Sequence, residues 1–176
     1  MSRLLVGQTL SGPPALDGET MSSDPSQQNT EPDEVAELRA RAEQGDAEAQ
    51  FEIGMMYSDG RGVPQDDVRA MVWYCRAVEH RHVDALFALG AMYLFGQGVA
   101  QNYVEAHAWM SLAAVWATGS DKKRYEKSRT ALAELMTPAE VAEARKLAHA
   151  WTEVFEQRTK KEDEPVRRSD VQTSKS

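Results

Sequence analysis

The 176-residue sequence has little of several features that would point to well-known functions. Its single cysteine, Cys75, excludes an intrachain disulfide and a metal cage made only of thiolates. Lys and Arg number 20 against 28 Asp and Glu, and the formal net charge of -8 argues against sequence-independent binding of nucleic acid. No apolar run approaches the length that spans a bilayer. These absences favour a soluble, cytoplasmic protein with neither a nucleic-acid nor a membrane partner.

Both ends of the sequence lack the regular apolar spacing of folded elements. Residues 1–31 are rich in Ser, Pro, Gly, Thr and Gln, which predicts a disordered leader. Residues 158–176 mix charges of both signs around a proline, which predicts a disordered charged tail. Between them, residues 32–157 form one predicted domain in which helix-favouring residues fill the intervals between Gly and Pro. No stretch alternates with period two, so the domain is predicted to be all-α.

The central part of the sequence repeats itself after 36 residues. The matched positions hold residue types with defined structural roles, so the match indicates a duplicated structural unit. The matched pairs include Ala49 and Ala85, Gly54 and Gly90, Tyr57 and Tyr93, Gly60 and Gly96, Gly62 and Gly98, Val63 and Val99, Gln65 and Gln101, Ala70 and Ala106, Trp73 and Trp109, and Ala77 and Ala113.

Each unit has the apolar spacing of a helical hairpin. Ala49, Ile53 and Tyr57 are four residues apart and therefore share one stripe of a first helix. Gly54 beside this stripe costs helix propensity, about 1 kcal/mol relative to Ala, so we expect it to permit the close approach of a second helix. The second helix is predicted to carry Trp73 between two alanines.

Two Gly-x-Gly loops, in YSDGRGVPQD (57–66) and YLFGQGVAQN (93–102), raise the question of a phosphate site. A dinucleotide loop needs a preceding strand and a third glycine, and both are missing here. The glycines are therefore predicted to be structural. The first of each pair ends a helix in the left-handed conformation, the second lets the chain reverse, and the following Asp or Asn caps the next helix. The turn glycines are Gly60, Gly62, Gly96 and Gly98.

Together these residues resemble the Sel1-like repeat, a relative of the tetratricopeptide repeat with a lengthened turn. The pattern is A-x-x-x-[LI]-G-x-x-Y-x-x-G-x-G-V-x-Q-[DN], then A-x-x-W and a later Ala, and residues 49–77 and 85–113 carry it. The resemblance implies a short right-handed α-solenoid of antiparallel helix pairs. The full repeats are expected at about 46–81 and 82–117.

Three further helices are predicted around these repeats. Residues 35–45 look like the second helix of a truncated preceding unit, and residues 120–136 and 137–157 are expected to be capping helices. The final segment is similar to the end of many bacterial Sel1-repeat proteins. Its helix is predicted to start with a capping box formed by Thr137 and Glu140. Its apolar stripe is expected to cover the second repeat through Ala144, Leu147, Ala148, Trp151, Val154 and Phe155.

The resemblance also implies a function: a non-catalytic scaffold or adaptor that holds a partner on a concave face lined by first helices. Acidic residues beside Met and aromatic rings would suit a basic amphipathic peptide. For Phe51 and Phe87 the alternative is packing against the neighbouring hairpin, and the sequence leaves this open. The candidate partner-binding residues, opposite the buried stripe, are Glu48, Phe51, Glu52, Met55, Asp84, Phe87, Ala88 and Ala91.

Other functions find weaker support in the sequence. A solenoid this short could instead assemble with copies of itself by stacking. Cys75 and Glu79 lie one helical turn apart, but the nearby His80 and His82 straddle a helix end, so we expect no metal site. Catalysis is disfavoured because His107 and His149 have no visible carboxylate partner. No cofactor is predicted.

Overall fold

The computed structural model describes residues 33–162. Within that range the chain forms seven helices and no strand, and the all-α solenoid prediction is confirmed. The predicted leader and residues 163–176 of the predicted tail lie outside the described residues. The helices are α1 (Asp33–Glu43), α2 (Ala47–Asp59), α3 (Asp67–Glu79), α4 (Val83–Phe95), α5 (Tyr103–Trp116), α6 (Gly119–Ala133) and α7 (Pro138–Glu162).

The last helix is longer than the sequence suggested. We expected it to end at residue 157, but α7 continues to Glu162. Four of residues 158–162 are Arg, Lys or Glu, which favour a helix, and Pro165, which breaks one, lies three residues beyond Glu162. Mixed charge was therefore a poor indicator of the helix end.

The two repeats are the hairpins α2–α3 and α4–α5, and each turn has the predicted geometry. Gly60 and Gly96 end the first helices with φ of 69° and 70°, in the left-handed region where glycine costs least. The side chain of Asp66 then accepts from the amide of Arg69 at the start of α3. Asn102 caps α5 in the same way. The Gly-x-Gly loops are thus helix-reversing turns, as predicted.

Two interior glycines bring the helices of each hairpin close together. A Cβ atom placed on Gly54 would lie 2.6 Å from the ring of Tyr74, and one placed on Gly90 would lie 2.8 Å from Met110 Cγ. Real Cβ atoms do not approach other atoms so closely, so alanine would force the helices apart or displace the neighbour. The expected packing role of Gly54 is confirmed.

The hydrophobic core follows the second helices. Trp73 and Trp109, at equivalent positions of the two hairpins, are both almost completely buried. Trp109 also contacts Trp151 of α7, with ring centroids 4.1 Å apart. Further along the same helices, Trp116 meets Phe155 edge to face. Because 109 pairs with 151 and 116 with 155, α5 and α7 run in the same direction.

The helix α7 covers the second hairpin largely as predicted. The capping box forms: the Thr137 amide donates to Glu140 Oε2 at 2.7 Å, and the Glu140 amide donates to Thr137 Oγ1 at 3.3 Å. Ala144, Ala148, Trp151 and Phe155 are buried and Leu147 is partly buried. Val154 was expected in this stripe but is 43% exposed, because it lies at the edge of the covered surface.

The upstream helix α1 packs on α2, as expected for a truncated preceding unit. Val35 and Ala42 are buried in the common core. The side-chain amide of Gln50, itself buried, donates to the carbonyl of Ala42 at 3.0 Å. The same carbonyl also accepts from the Gly45 amide at 3.1 Å, so Gln50 adds a second bond that ties α2 to the end of α1.

The junction between the hairpins contains a strained residue. Arg81 has φ of 60°, a conformation that a residue with a Cβ atom rarely adopts. Gly45 holds the equivalent position 36 residues earlier, with φ of 92°. The Arg81 guanidinium lies over the Trp116 ring at 5.3 Å and donates to the Phe155 carbonyl at 3.4 Å. These contacts tie the junction to the ends of α5 and α7.

Candidate protein-binding face

One side of the first helices is left open by the packing of the hairpins. On α2 it consists of Glu48, Glu52, Met55 and Asp59, spaced four, three and four residues apart. The Glu48 side chain is 65% exposed, while Glu52 and Met55 are half-buried. On the opposite side of the same helix, Ala49, Ile53 and Tyr57 are buried. We call the open side of α2, and its equivalents on α4 and α6, the first-helix face.

The two phenylalanines among the candidate residues pack within the fold. The Phe51 ring stacks on His82 at 4.6 Å between centroids and lies 5.6 Å from Tyr74. Phe87 stacks on Tyr125 of the following unit at 4.7 Å. Each ring is therefore covered by the next unit of the solenoid, which was the structural alternative left open by the sequence.

The acidic residues at the starts of α2 and α4 also reach the next unit. Glu48 Oε2 lies 3.0 Å from His82 Nε2, and the other nitrogen of this ring accepts from the Ala85 amide as the N-cap of α4. Asp84 Oδ1 accepts from Arg124 Nη2 at 3.1 Å and from the Tyr125 hydroxyl. Both carboxylates still expose about half or more of their side chains.

The middle of the face, on α4, is small and apolar. Ala88 and Ala91 occupy the positions that Glu52 and Met55 hold on α2. At the end of the helix Phe95, in the position of Asp59, is 67% exposed. Phe95 was not among the predicted site residues.

The third unit adjoins the face at α6, where Arg124 contacts Asp84 of α4, and this was not predicted from the sequence. Counting 36 residues from α4 places Ser120, Arg124, Lys127 and Ala131 at the equivalent positions of α6, and all four are exposed. The Gly and Tyr landmarks of the repeat are missing in this unit, so its register was not followed. The signal that could have found it is the offset itself, applied without those landmarks.

The remaining candidate chemistry does not assemble into a site. Cys75 is buried, and burial raises the pKa of its thiol to about 12, which suppresses the reactive thiolate. His82 is engaged by Glu48 and Phe51 on the α2 side. Within residues 33–162, no group of three or more His, Cys, Asp or Glu side chains is arranged to hold a metal ion.

One histidine is buried where α5 meets the last two helices. Burial lowers the pKa of His107 to about 4, and the positive charges of Arg129 on α6 and Arg145 on α7 add to this effect. The Ser111 hydroxyl donates to the His107 carbonyl at 2.7 Å and lies 3.4 Å from the imidazole Nδ1. No carboxylate in the described part of the chain hydrogen-bonds this imidazole, so the pair lacks the third member of a hydrolytic triad.

Comparison with known proteins identifies the repeats. The Sel1 repeat family matches residues 47–82 and 83–114, which coincide with the hairpins α2–α3 and α4–α5. The chain contains two Sel1 repeats. Among curated proteins, none matches this sequence.

Solved structures with Sel1-type repeats resemble this chain. A protective antigen present in uropathogenic Escherichia coli strains, which displays an SLR fold, superposes with a TM-score of 0.63 at 27% identity over 81% of this chain. The chain spans 30% of the length of that protein. A Sel1 repeat protein from Oxalobacter formigenes is 37% identical over 46% of this chain and 33% of its own, with a TM-score of 0.44.

Sel1 repeats are generally protein–protein interaction scaffolds and are typically non-enzymatic. Across residues 33–162, none of the helices combines the length and the hydropathy needed to cross a bilayer.

Proposed function

We propose that this chain is a non-catalytic cytoplasmic adaptor whose Sel1 repeats hold a peptide or protein partner on the first-helix face. The observation that carries the proposal is the contrast along α2. Phe51 stacks on His82 of the next unit, whereas the Glu48 side chain is mostly exposed and Glu52 and Met55 are partly exposed beside it. Side chains that the fold leaves uncovered are free to contact a partner.

The chemistry of the α2 stripe indicates what it would bind. α2 contains three acidic residues and no basic one, so its end of the face attracts Lys and Arg side chains. Met55 lies between the acids and offers a flexible, polarisable contact for an apolar side chain. The small Ala88 and Ala91 leave room for a peptide backbone next to α4. The preferred ligand is therefore a basic amphipathic segment, and Phe51 and Phe87 position the helices beneath it.

A peptide-display selection against the wild-type chain tests this function. We expect the selected peptides to be rich in Lys and Arg, and to lose at least about tenfold in affinity, about 1.4 kcal/mol, for the variant Glu52→Lys/Met55→Ala. Helicity should stay close to wild type, and only a modest drop in melting temperature is expected, because Met55 packs against the core with part of its side chain.

A matched control is provided by Glu153→Lys/Val154→Ala, which changes an exposed acid and an exposed apolar residue on α7, away from the first helices. We expect this variant to bind like wild type. Equal affinity of the selected peptides for the wild type and for Glu52→Lys/Met55→Ala would contradict the assignment of the face.

A further inference from the structure

The first helices of the three units differ in charge in a regular order. α2 holds three acidic residues and no basic one, and α4 holds Asp84 as its single charged residue. α6 holds five basic residues against two acidic ones, in a chain whose net charge is -8. The first helices therefore change from acidic (α2) through nearly neutral (α4) to basic (α6).

These charges lie on one continuous surface. The contact between Arg124 and Asp84 joins the open stripes of α4 and α6 directly. Counting 36 residues per unit pairs Glu52 with Arg124 and Met55 with Lys127. Lys123 lies beside this stripe and is exposed. Among residues 35–157, neither Lys123 nor Lys127 forms an ion pair.

Such a surface is complementary to itself. We propose that a second copy of this chain docks on the first-helix face, in a dimer whose two-fold axis runs parallel to α4. This axis places the acidic α2 of each copy over the basic α6 of the other, and α4 over α4. A two-fold axis perpendicular to the helices would instead place α2 over α2 and repel.

The centre of this arrangement accounts for the exposed aromatic residue. Ala88 and Ala91 allow the two α4 helices to approach closely. Phe95, which is 67% exposed, lies on the same stripe and would meet its counterpart across the axis. The two α4 helices lie between the two charged α2–α6 pairs. Burying both Phe95 rings there removes apolar surface from water in the uncharged middle of the interface.

The size of the face suits a reversible dimer. Each first helix is about 20 Å long, from its 13 to 15 residues at about 1.5 Å per residue. With axes spaced about 10 Å apart, three helices present about 600 Å² per copy. The total of about 1,200 Å² is at the lower end of stable specific interfaces. Because exposed charges contribute, association should weaken as salt screens them.

This dimer goes beyond the proposed function and uses the same face. A bound partner and a second copy would exclude each other, so a partner would have to compete with self-association. The two proposals can fail separately, because one is measured by peptide affinity and the other by molecular mass.

Charge reversal on the full chain tests the dimer. We expect sedimentation equilibrium at about 100 µM protein and about 0.05 M NaCl to give twice the monomer mass for wild type. The variants Glu48→Lys/Glu52→Lys and Lys123→Glu/Lys127→Glu should each be monomeric, because like charges then face each other. Mixing these two variants should restore a dimer that contains one copy of each, since their reversed charges are complementary.

Controls separate the face from net charge. Glu143→Lys/Glu153→Lys and Lys122→Glu/Lys146→Glu make the same changes in net charge at exposed positions off the face, and should remain dimeric. Circular dichroism establishes that each variant is folded.

Three results would overturn the dimer. The first is a wild-type chain that stays monomeric in low salt; if a selected basic peptide still binds the face, the proposed function survives alone. The second is a dimer that both reversed variants retain, which would place the interface elsewhere. The third is a mixture of folded variants that fails to associate.

Discussion

The rings of Trp109 and Trp151 lie 4.1 Å apart between centroids, and this contact joins the second Sel1 repeat to α7. Both rings are buried. A solenoid unit cannot bury its own apolar face, so the last repeat depends on the helix that covers it. The stability of the second repeat should therefore depend on α7.

Replacing Trp151 with Ala should destabilise the chain by about 3–5 kcal/mol, because a buried aromatic ring is lost and a cavity remains. Urea unfolding followed by circular dichroism measures the change. Val154→Ala on the same helix is the control: Val154 is 43% exposed, so the expected effect is within about 0.5 kcal/mol. Similar losses for both variants would contradict the packing of α7.

Gly54→Ala should destabilise the chain even though alanine favours helix formation by about 1 kcal/mol. The added Cβ atom would lie 2.6 Å from the Tyr74 ring, and overpacking of this kind costs about 1–3 kcal/mol. The variant Ala91→Gly, on the open face of α4, measures the propensity effect by itself. A Gly54→Ala chain that melts at a higher temperature than wild type would show that α2 and α3 are not in close contact there.

The buried His107 should make stability depend on pH below neutrality. Its pKa in the folded chain is lowered to about 4, whereas the unfolded value is near 6.5. Between these values the unfolded chain binds more protons, so stability is complete above about pH 6.5 and is lost as the pH falls toward 4. At 1.36 kcal/mol per unit, the loss over the whole interval is roughly 3 kcal/mol.

This pH effect can be isolated by comparing wild type with His107→Gln. The difference in their free energies of unfolding should shrink as the pH falls from 7 to about 4.5, because Gln does not titrate. Carboxylates elsewhere titrate in both chains and cancel. A difference that stays constant over this interval would show that His107 does not remain neutral in the folded chain.

The thiol of Cys75 should be unreactive in the folded chain. It is buried and its pKa is raised to about 12 by burial, with the Glu79 charge as the smaller cause. We expect an aromatic disulfide reagent at pH 8 to react at least about a hundredfold more slowly with native protein than with protein in urea. Equal rates would indicate that α3 exposes its thiol.

Much of the fold could be predicted because its determinants are local. The glycines that end α2 and α4, the caps at Asp66 and Asn102, and the capping box of α7 all act within one turn of chain. Their conformations follow from residue type and spacing, whatever the rest of the molecule does. The offset of 36 residues then showed that one hairpin is used twice.

The candidate site was harder to predict because it depends on contacts between units. A helical wheel gives Phe51 and Glu52 similar positions away from the core, and it does not show that Phe51 stacks on His82 at the start of the next unit. The basic stripe of α6 was missed for a related reason. Its unit lacks the landmark residues of the motif, and the contact of Arg124 with Asp84 is what shows that it adjoins the face.

The sequence by itself therefore determined the helices, their turns and the repeated hairpin, since hydrogen bonding and apolar spacing within each hairpin suffice for these. Only the tertiary structure decided which side chains stay open and that Arg81 adopts a left-handed conformation. Those outcomes depend on which unit lies against which, and residues as far apart as Phe51 and His82 meet only when the units stack.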